Sequence, residues 1–325
     1  MNEKLRATAV QRRGWFSRGD VLAAGYSDSE LRARLRRGQW ARLARDAFVE
    51  AGEWPAEPPW ERARRVHTLT IRAVTERLGA AAISHQSAAV LHGLPIWGLD
   101  LRRVHVTRSA GRVRSGPALI VHRSLTMPED VTEVDGVQAT CVERAIVETT
   151  CGTSYEAGVV LADAALRCGL STPGRLVAMA DRHRHWSGSP AARAAVRFAN
   201  GLSESVGESR LRCLMDNHGL PEPELQVNIY DEDGQLIGRV DFLLFGVLIV
   251  EFDGALKYGD NADAVIAEKR REDRLRARGY RVARVSWDDL DQPAKTAARL
   301  KAAALSGDTN WGPRTPDQMS EVPSW

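Results

Sequence analysis

Apolar and polar positions in the first fifty residues follow periods that predict three short helices and then a β-hairpin. The segments EKLRATAVQRR, RGDVLAAG and SELRARLRRG have helical periodicity. Ser17 is placed to cap the second helix, and Ser27 or Asp28 to cap the third. The segment QWARLARDAFVEAG then follows the two-residue period of β-strands. We therefore predict a winged helix-turn-helix over residues 1–52.

The pattern between residues 53 and 187 mixes helices with short strands, after a Pro- and Trp-rich joint, EWPAEPPW. A long helical segment and a shorter one, SHQSAAVLHGLP, precede two strand-like segments, RRVHVTRS and ALIVHRS. Further helical segments follow. This region is predicted to be a mixed α/β domain.

From residue 188 to residue 305 the predicted element order becomes α-β-β-β-α-β. The strands of PELQVNIYDEDGQLIGRVDFLLFGVLIVEFDG form a meander, and DAVIAEKRREDRLRARG is a helix before the closing strand YRVARVSW. The tail 306–325 is predicted to be disordered. The fold class is therefore multi-domain α/β (α+β), with a small mixed sheet in the last domain.

Composition narrows the class of protein. The 325 residues are 43% hydrophobic and 27% charged, as in ordinary globular proteins. The apolar runs are only strand-length, so we expect neither a signal peptide nor a membrane span. Four cysteines without C-x-x-C pairing fit reduced thiols and do not indicate zinc. We therefore expect a cytoplasmic protein, and the oligomeric state stays open.

Charge is distributed unevenly along the chain. The net charge is only +3, but the first fifty residues hold eleven Lys/Arg against six Asp/Glu, and the rest holds 34 against 36. A basic end favours a polyanionic partner. The candidate DNA-contacting residues lie on the third helix and the hairpin: Arg32, Arg34, Arg36, Arg37, Arg42 and Arg45. The alternative is a solvated arginine-rich face, and we favour DNA.

The middle region raises the question of a Ser-His-Asp site. Ser84, His85, Ser87 and His92 lie in SHQSAAVLHGLP, but no G-x-S-x-G motif is present and Ser87 falls inside an apolar helix. A helix cap and core packing explain these residues better than catalysis does. The histidines of DRHRHW diverge around a helix, so a solvated turn is favoured over a metal tract.

In the last third, RVDFLLFGVLIVEFDGALKYG combines apolar strands with three carboxylates, Asp241, Glu251 and Asp253, and with Lys257 just beyond. Glu251 and Asp253 point to one face of their strand. Two like charges ~5 Å apart repel by about 3 kcal/mol at an effective dielectric constant near 20. A divalent cation would compensate them, and oxygen ligands suit Mg²⁺ or Mn²⁺.

The expected hairpin brings these carboxylates together. A turn at Phe245-Gly246 places Asp241 opposite Val250 and beside Glu251, and Glu208 on the preceding helix is placed to supply another oxygen. Lys257 would stabilise charge on a phosphate or orient the attacking water. The alternative is an exposed sheet edge with solvated carboxylates, which the apolar neighbours at 247–250 disfavour.

Several ordered segments resemble a known family. GWFSRGDVLAAG, LRRGQWARLARDAFV, SHQSAAVLHGLP, VHVTR and VDGVQATCVERAIVE are similar to AbiEi-type antitoxins of abortive-infection toxin–antitoxin systems, over roughly residues 1–176. Such proteins carry an N-terminal winged helix that binds promoter DNA and a C-terminal domain with antitoxin activity. The resemblance implies DNA binding and a cognate toxin as partner, without identifying the toxin.

The last domain resembles the PD-(D/E)XK nuclease superfamily, and within it the Vsr-like endonucleases of actinobacterial type. The resemblance covers roughly residues 205–289 and rests on Glu208, GRVDF, VEFDG, KY and EKRREDRLRARGYRVARVSW. It implies Glu208, Asp241 and Glu251 as metal ligands, with water attacking a phosphodiester.

This sequence departs from the nuclease pattern at two points. Asp253 stands where the family has its lysine, so Lys257 would have to substitute, and no histidine follows His218. Further along, Glu268, Lys269 and Arg271 would give a supporting carboxylate behind the metal ligands and phosphate contacts. The alternative for these three is surface pairing along the helix, such as Lys269 with Asp273.

Two hypotheses for function result. The first is a divalent-metal-dependent DNA endonuclease in phage defence or DNA repair, with Asp241, Glu251, Asp253 and Lys257 as catalytic residues. The second is an AbiEi-like antitoxin and transcriptional regulator whose nuclease-like domain has become a catalytically degenerate scaffold.

Overall fold

The computed structural model describes residues 1–51, 57–76, 78–79, 81–110, 115–254 and 262–305, with side chains except at residues 262–265. Within these residues it has 13 α-helices and three β-sheets, a mixed α/β multi-domain architecture. The chain divides into two compact units, Met1–Ala199 and Asn200–Trp325. The predicted boundary at residue 52 and the tail 306–325 lie outside the described residues.

The first fifty residues form three helices and a three-stranded sheet. The elements are α1 (Glu3–Gln11), β1 (Phe16–Ser17), α2 (Arg18–Ala23), α3 (Asp28–Arg36), β2 (Trp40–Ala44) and β3 (Ala47–Glu50), with strand order β1-β3-β2. Ser17 and Ser27 are the N-caps of α2 and α3. Each is in a capping box, in which the serine hydroxyl accepts from the N3 backbone N–H and the N3 carboxylate accepts from the serine N–H. The caps therefore define where both helices begin, as the sequence predicted.

An aromatic core fixes the hairpin to the helices. Phe16, Trp40 and Phe48 are almost fully buried. The Phe16 and Trp40 rings meet edge to face with centroids 4.9 Å apart, and Tyr26 meets Trp40 in the same way at 5.5 Å. Because Tyr26 lies in the α2–α3 turn and Trp40 begins β2, these contacts hold the hairpin against the helix pair.

The rest of the first unit combines a five-stranded sheet with a helical layer. Its elements are α4 (Pro59–Thr75), β4 (Ala82–Ile83), α5 (His85–Leu91), β5 (Val104–Arg108), β6 (Leu119–Arg123), a 3-10 turn (Pro128–Asp130), β7 (Val131–Val134), β8 (Val137–Thr140), α6 (Val142–Gly152), α7 (Tyr155–Arg167), α8 (Pro173–Arg182) and α9 (Ser189–Phe198). The strand order is β6-β5-β4-β8-β7, with β5–β6 and β4–β8 parallel.

Helix α9 belongs to the first unit. Ala192 and Val196 of α9 are buried in one core with Ile146 of α6 and Leu176 of α8. The predicted domain boundary after residue 187 would assign this helix to the last domain. The apolar face of α9 is buried against α6, α7 and α8, so the compact unit ends only at Ala199.

The second unit has the predicted order α-β-β-β-α-β, followed by two helices. Its elements are α10 (Val206–Asn217), β9 (Glu224–Tyr230), β10 (Leu236–Leu244), β11 (Leu248–Phe252), α11 (Ala262–Ala277), β12 (Arg281–Val285), α12 (Trp287–Leu290) and α13 (Pro293–Leu305). The strand order is β12-β11-β10-β9, with only β11–β12 parallel among these pairs. This sheet carries the predicted carboxylates.

Both faces of the sheet in the second unit are covered. On one face Phe242 and Val250 pack with residues of α10, α12 and α13. On the other face Leu243 and Ile249 pack with Leu275 of α11. In the described part of the chain, no helix is long and apolar enough to cross a membrane.

Candidate nucleic-acid interface and carboxylate cluster

Three arginines of α3 and of its C-terminal end lie exposed on the surface. Arg32, Arg36 and Arg37 are exposed, and no salt bridge within the described residues involves them. The turn before α3 depends on Gly25, whose φ of 91° suits glycine, and an Arg18–Asp28 ion pair joins α2 to α3. The three guanidinium groups are therefore available to a polyanion on a helix of fixed orientation.

Arg34 has different surroundings from the other arginines of α3. Its guanidinium lies 5.0 Å from the Tyr26 ring centroid and 5.1 Å from that of Trp40. This distance is within the range of cation–π attraction. Arg34 is among the predicted DNA-contacting residues, and the structure gives it a packing contact inside the module.

The hairpin adds two further cations. Arg42 on β2 is exposed, with its guanidinium 5.5 Å from the Phe48 ring centroid. Arg45 lies on the β2–β3 turn, where Asp46 has a φ of 56°. The side chain of Arg45 is 92% exposed, and its Nε is 3.9 Å from Asp46 Oδ2. The hairpin therefore extends the basic surface of α3. At its tip, the long Arg45–Asp46 ion pair compensates the charge of Arg45 only weakly.

The carboxylates of the second unit meet across two antiparallel strands. Phe242 pairs with Val250, and the strands are joined by a three-residue loop, 245–247. This register sets Asp241 opposite Glu251. The two-residue turn predicted from the sequence places Asp241 opposite Val250, which is wrong by one position because the loop contains one more residue.

Asp241 closes the end of the β10–β11 ladder. Its Oδ2 accepts a hydrogen bond from the Phe252 N–H at 2.8 Å. On the other side of β11, the Asp253 N–H donates to the Val285 carbonyl of β12 at 2.9 Å. The carboxylate of Asp241 thus takes the place of a strand carbonyl where β10 and β11 separate.

Glu208 lies beside this sheet at the start of α10 and is only 6% exposed. Its Oε2 accepts from the Glu204 N–H at 2.9 Å and from Gln226 Nε2 at 3.0 Å. At the preceding residue, Gly207, an added Cβ would lie 2.0 Å from the Phe252 ring. Glycine is therefore required for the close approach of α10 to β11, which brings Glu208 to the carboxylate region.

Arginines compensate the charge of Glu251. Arg271 Nη2 is 2.6 Å from Glu251 Oε1, and Arg271 Nε is 2.9 Å from Glu268 Oε2. Arg284 Nη2 is 2.7 Å from Glu268 Oε1, and its Nε is 3.9 Å from Glu251 Oε2. Arg284 Nη2 also lies 2.9 Å from Glu272 Oε2, so these side chains belong to one ion-pair network between β11, β12 and α11. Arg271 thus supplies a positive charge where the sequence analysis expected a metal ion.

The pKa values of the two glutamates shift in opposite directions. Burial raises the pKa of the Glu251 carboxyl above its ordinary value, Arg271 opposes this shift, and the charges of Glu268 and Asp241 add to it. The hydrogen bond from Arg271 lowers the pKa of Glu268. Asp241 and Glu251 are therefore close enough to interact electrostatically, while Arg271 stabilises the charged form of both glutamates.

The remaining predicted residues of this cluster are placed as follows. Asp253 follows the end of β11 and is half-buried. Lys257 lies outside the described residues. Lys269 is exposed on α11, and within the described residues it makes no salt bridge with Asp273. Arg271 pairs along the helix with Glu268 and also reaches Glu251 on the sheet.

The closest group of potential metal ligands in the described residues lies in the first unit. Within the described residues, one group brings three potential metal ligands together: His85, His105 and His122. One ligand atom from each of these residues lies within 4.8 Å of the other two. Among the carboxylates of the second unit that the structure describes, no such group is found. From the sequence, His85 is attributed to a helix cap and core packing, and His105 and His122 are not identified as candidates. Their only sequence signal is a histidine in each of two neighbouring strand segments, VHVTR and ALIVHR.

Comparisons with known proteins bear on the N-terminal end. Residues 3–50 match a family model described as "Transcriptional regulator, AbiEi antitoxin". This match identifies an AbiEi antitoxin-type N-terminal domain, coinciding with the module of α1–α3 and β1–β3. The AbiEi resemblance inferred from the sequence extended to residue 176, beyond the matched range.

Two mycobacterial relatives are similar over a longer range. They are "Uncharacterized protein MT2308" of Mycobacterium tuberculosis (strain CDC 1551 / Oshkosh) and "Uncharacterized protein Rv2248" of Mycobacterium tuberculosis (strain ATCC 25618 / H37Rv). Each is 27% identical over 220 residues, which cover 66% of this chain and 80% of the relative. The similarity therefore extends well beyond the N-terminal module.

Proposed function

We propose that this chain is a DNA-binding transcriptional regulator of the AbiEi antitoxin type. The observation that carries this proposal is the coincidence of two independent features in residues 3–50. That range matches the AbiEi regulator model, and it carries exposed arginines on α3 and on the β2–β3 hairpin.

In this proposal the N-terminal module is a winged helix-turn-helix. Helix α3 lies in the major groove, where Arg32, Arg36 and Arg37 contact phosphates or base edges, and the hairpin with Arg42 and Arg45 lies on the backbone. Arg34 holds α3 against the hairpin through Tyr26 and Trp40. Phosphate contacts position the protein, and the base contacts of α3 provide specificity.

Binding to the DNA upstream of the protein's own gene tests this proposal. Fluorescence anisotropy of the full chain with that DNA and with a shuffled duplex of equal length should show tighter binding to the upstream DNA. A transcriptional reporter fused to the same region should be repressed when the chain is expressed. Equal affinity for both duplexes together with an unchanged reporter would overturn the regulator function.

The antitoxin type also implies a protein partner, and we include a cognate toxin in the proposal. Co-expression of the product of an adjacent gene tests it, since the chain should restore growth when that product alone inhibits growth. A variant with Arg36→Ala and Arg37→Ala should neutralise the toxin equally well, because the DNA-contacting surface need not touch the toxin. Failure of the wild-type chain to restore growth would remove the toxin from the proposal.

A second candidate is a divalent-metal-dependent DNA endonuclease in the second unit. It is favoured by the position of Asp241 opposite Glu251, with Glu208 at the edge of the same sheet. Its proposed Mg²⁺ or Mn²⁺ ligands are Glu208, Asp241 and Glu251, with Asp253 and Lys257 as further catalytic residues and Glu268, Lys269 and Arg271 around them. Arg271 contacts Glu251 Oε1, so a metal ion would bind Glu251 through Oε2 or compete with Arg271 for Oε1.

Plasmid nicking by the purified full chain separates the two candidates. The endonuclease predicts nicking that requires Mg²⁺ or Mn²⁺ and is abolished by Asp241→Asn. Asp233→Asn is the matched control, because Asp233 lies exposed in the β9–β10 turn. Absent cleavage, or cleavage that Asp241→Asn leaves unchanged, would leave the regulator as the only function proposed.

A further inference from the structure

Three histidines from separate parts of the first unit meet at one edge of its five-stranded sheet. His85 is the first residue of α5, His105 lies on β5, and His122 lies on β6. In the parallel β5–β6 pairing, His105 is paired with Ile120 and Thr107 with His122. The two strand histidines are therefore diagonal neighbours on one face of the sheet, and the start of α5 brings the third imidazole over them.

The three rings are in direct contact. His105 Nδ1 is 3.0 Å from His122 Nε2, so a hydrogen bond joins them. The rings of His85 and His122 are stacked, with centroids 3.7 Å apart and an interplanar angle of 19°. One ring nitrogen from each residue lies within 4.8 Å of the other two. To bind one ion at the ~2.0–2.1 Å that zinc–imidazole bonds require, the stacked rings and the His105–His122 hydrogen bond would have to rearrange.

Neighbouring polar groups hold two of the rings in place. Gln86 Nε2 lies 3.0 Å from His105 Nε2, and the Ser84 hydroxyl lies 3.0 Å from His85 Nδ1. The backbone N–H of His85 donates to Glu148 Oε2 at 3.2 Å. Metal-binding histidines commonly donate their second ring N–H to such a partner. The Ser84 hydroxyl can accept from His85 Nδ1, whereas at His105 the Gln86 amide would have to turn so that its Oε1 accepts from Nε2.

His85 also has an unusual backbone conformation. Its φ is 53°, in the left-handed region that L-residues seldom adopt. Ser84 before it is fully buried, and the N–H of His85 is bound by the buried carboxylate of Glu148. The fold therefore maintains a strained position that directs this imidazole toward His122, and strain of this kind concentrates at functional sites.

Burial disfavours the charged form of the three imidazoles. Desolvation lowers the pKa of His105 to about 4, and it lowers the pKa values of His85 and His122 as well. A neutral imidazole has the free lone pair that a metal ion needs. Three neutral nitrogen donors carry no charge that would have to be compensated, and such ligands suit zinc and similar transition metals better than Mg²⁺.

We propose that His85, His105 and His122 bind one divalent transition-metal ion of the zinc class, with a water molecule at a fourth position. Such an ion links α5 to β5 and β6 through three bonds. The site shares no residue with the DNA-contacting arginines or with the carboxylates of the second unit, so it adds a ligand that neither candidate function includes.

Metal titration of the full chain tests the site directly. After treatment with a chelator and dialysis, the wild-type protein is titrated with Co²⁺ and then with Zn²⁺. The site predicts one Co²⁺ per chain, with the visible absorption of a tetrahedral complex, and displacement of Co²⁺ by Zn²⁺. The absence of a visible band and of one-to-one binding at micromolar metal would overturn the proposal without any variant.

Variants assign the ion to these residues. His122→Ala should weaken Zn²⁺ binding at least ~10-fold, while His185→Ala should leave it unchanged because His185 is exposed and lies outside the cluster. His122→Cys should retain Co²⁺ and add a thiolate-to-Co²⁺ charge-transfer band, since cysteine is itself a zinc ligand. Circular dichroism checks that each variant is folded. Equal affinity of wild type and His122→Ala, or binding by His122→Cys without the new band, would overturn the assignment.

Discussion

Arginine residues have contrasting surroundings in the N-terminal module and in the sheet of the second unit. Arg36 and Arg37 at the end of α3 are exposed, and no salt bridge within the described residues involves them. Arg271 and Arg284 lie between α11 and the sheet, where Glu251 and Glu268 surround them. The same side chain is thus available to a polyanion in one region and neutralised by the protein in the other.

This difference in surroundings separates arginines that can bind a phosphate from arginines that stabilise the fold. A phosphate can approach an exposed guanidinium at little cost and release counterions from the DNA. To approach Arg271 it would have to displace Glu251, whose carboxyl is largely buried. The proposed DNA binding therefore belongs to the N-terminal module, and the arginines of the second unit have a stabilising role.

Removing Arg271 is expected to have the largest effect. Arg271→Ala leaves Glu251 without its closest cation, and we expect the second unit to lose about 2 kcal/mol of stability, because an uncompensated buried charge is costly. Urea unfolding measures the loss, and hydrogen exchange at the β11 amides assigns it to this sheet.

Arg278→Ala is the matched control for this change. Arg278 pairs with Glu232, which is 86% exposed, so the loss should stay within about 0.5 kcal/mol. If both variants were equally stable, Arg271 would not be a stabilising residue and the contrast between the two regions would fail.

Removing two arginines of α3 is expected to weaken DNA binding without a loss of stability. The double variant Arg36→Ala with Arg37→Ala should bind upstream DNA about 10-fold more weakly, or about 1.4 kcal/mol. Its urea midpoint should match wild type, since neither side chain packs on the core. Arg167→Ala, an exposed arginine at the end of α7, is the control and should bind DNA normally.

Arg34 is expected to behave as an intermediate case. Arg34→Ala removes the guanidinium from Tyr26 and Trp40, so it should destabilise the N-terminal module by about 1 kcal/mol. Near-ultraviolet circular dichroism of the Trp40 environment and the thermal midpoint measure this effect. A variant with full stability but weakened DNA binding would contradict the packing role and return Arg34 to the set of DNA-contacting residues.

Lowering the pH should reduce the stability that the Arg271–Glu268 pair gives the second unit. We expect this to be the smallest of the effects. Arg271 lowers the pKa of Glu268 below its ordinary value of 4.5. The stability from this pair is therefore present above pH 4.5 and is lost as the pH falls through the lower pKa of the folded state. The difference in unfolding free energy between wild type and Arg271→Ala should narrow below pH 4.5. A constant difference down to pH 3 would show that Arg271 does not stabilise the fold through its charge.

Local signals in the sequence were sufficient to predict the N-terminal module. The serine caps of α2 and α3 and the alternation in the hairpin depend on residues a few positions apart, and the structure has each of them. The α-β-β-β-α-β order of the second unit was predicted for the same reason. These elements follow from periodicity and capping.

Long-range features could not be predicted in the same way. The register of Asp241 depends on one additional loop residue, which the apolar pattern does not count. The Glu251–Arg271 pair joins residues twenty positions apart on a strand and a helix. The histidine cluster requires a parallel strand pair and the start of α5 to meet. In each case tertiary packing brings the groups together.

The salt dependence of DNA binding tests most directly whether the N-terminal module binds DNA. The logarithm of Kd is measured against the logarithm of salt concentration for wild type, for Arg36→Ala with Arg37→Ala, and for Lys269→Ala with Arg270→Ala on the exposed side of α11. We predict that the slope falls by about two for the α3 variant, because each of the two arginines neutralises one phosphate, and stays unchanged for the α11 variant. An unchanged slope for the α3 variant, with a reduced slope for the α11 variant, would contradict this assignment.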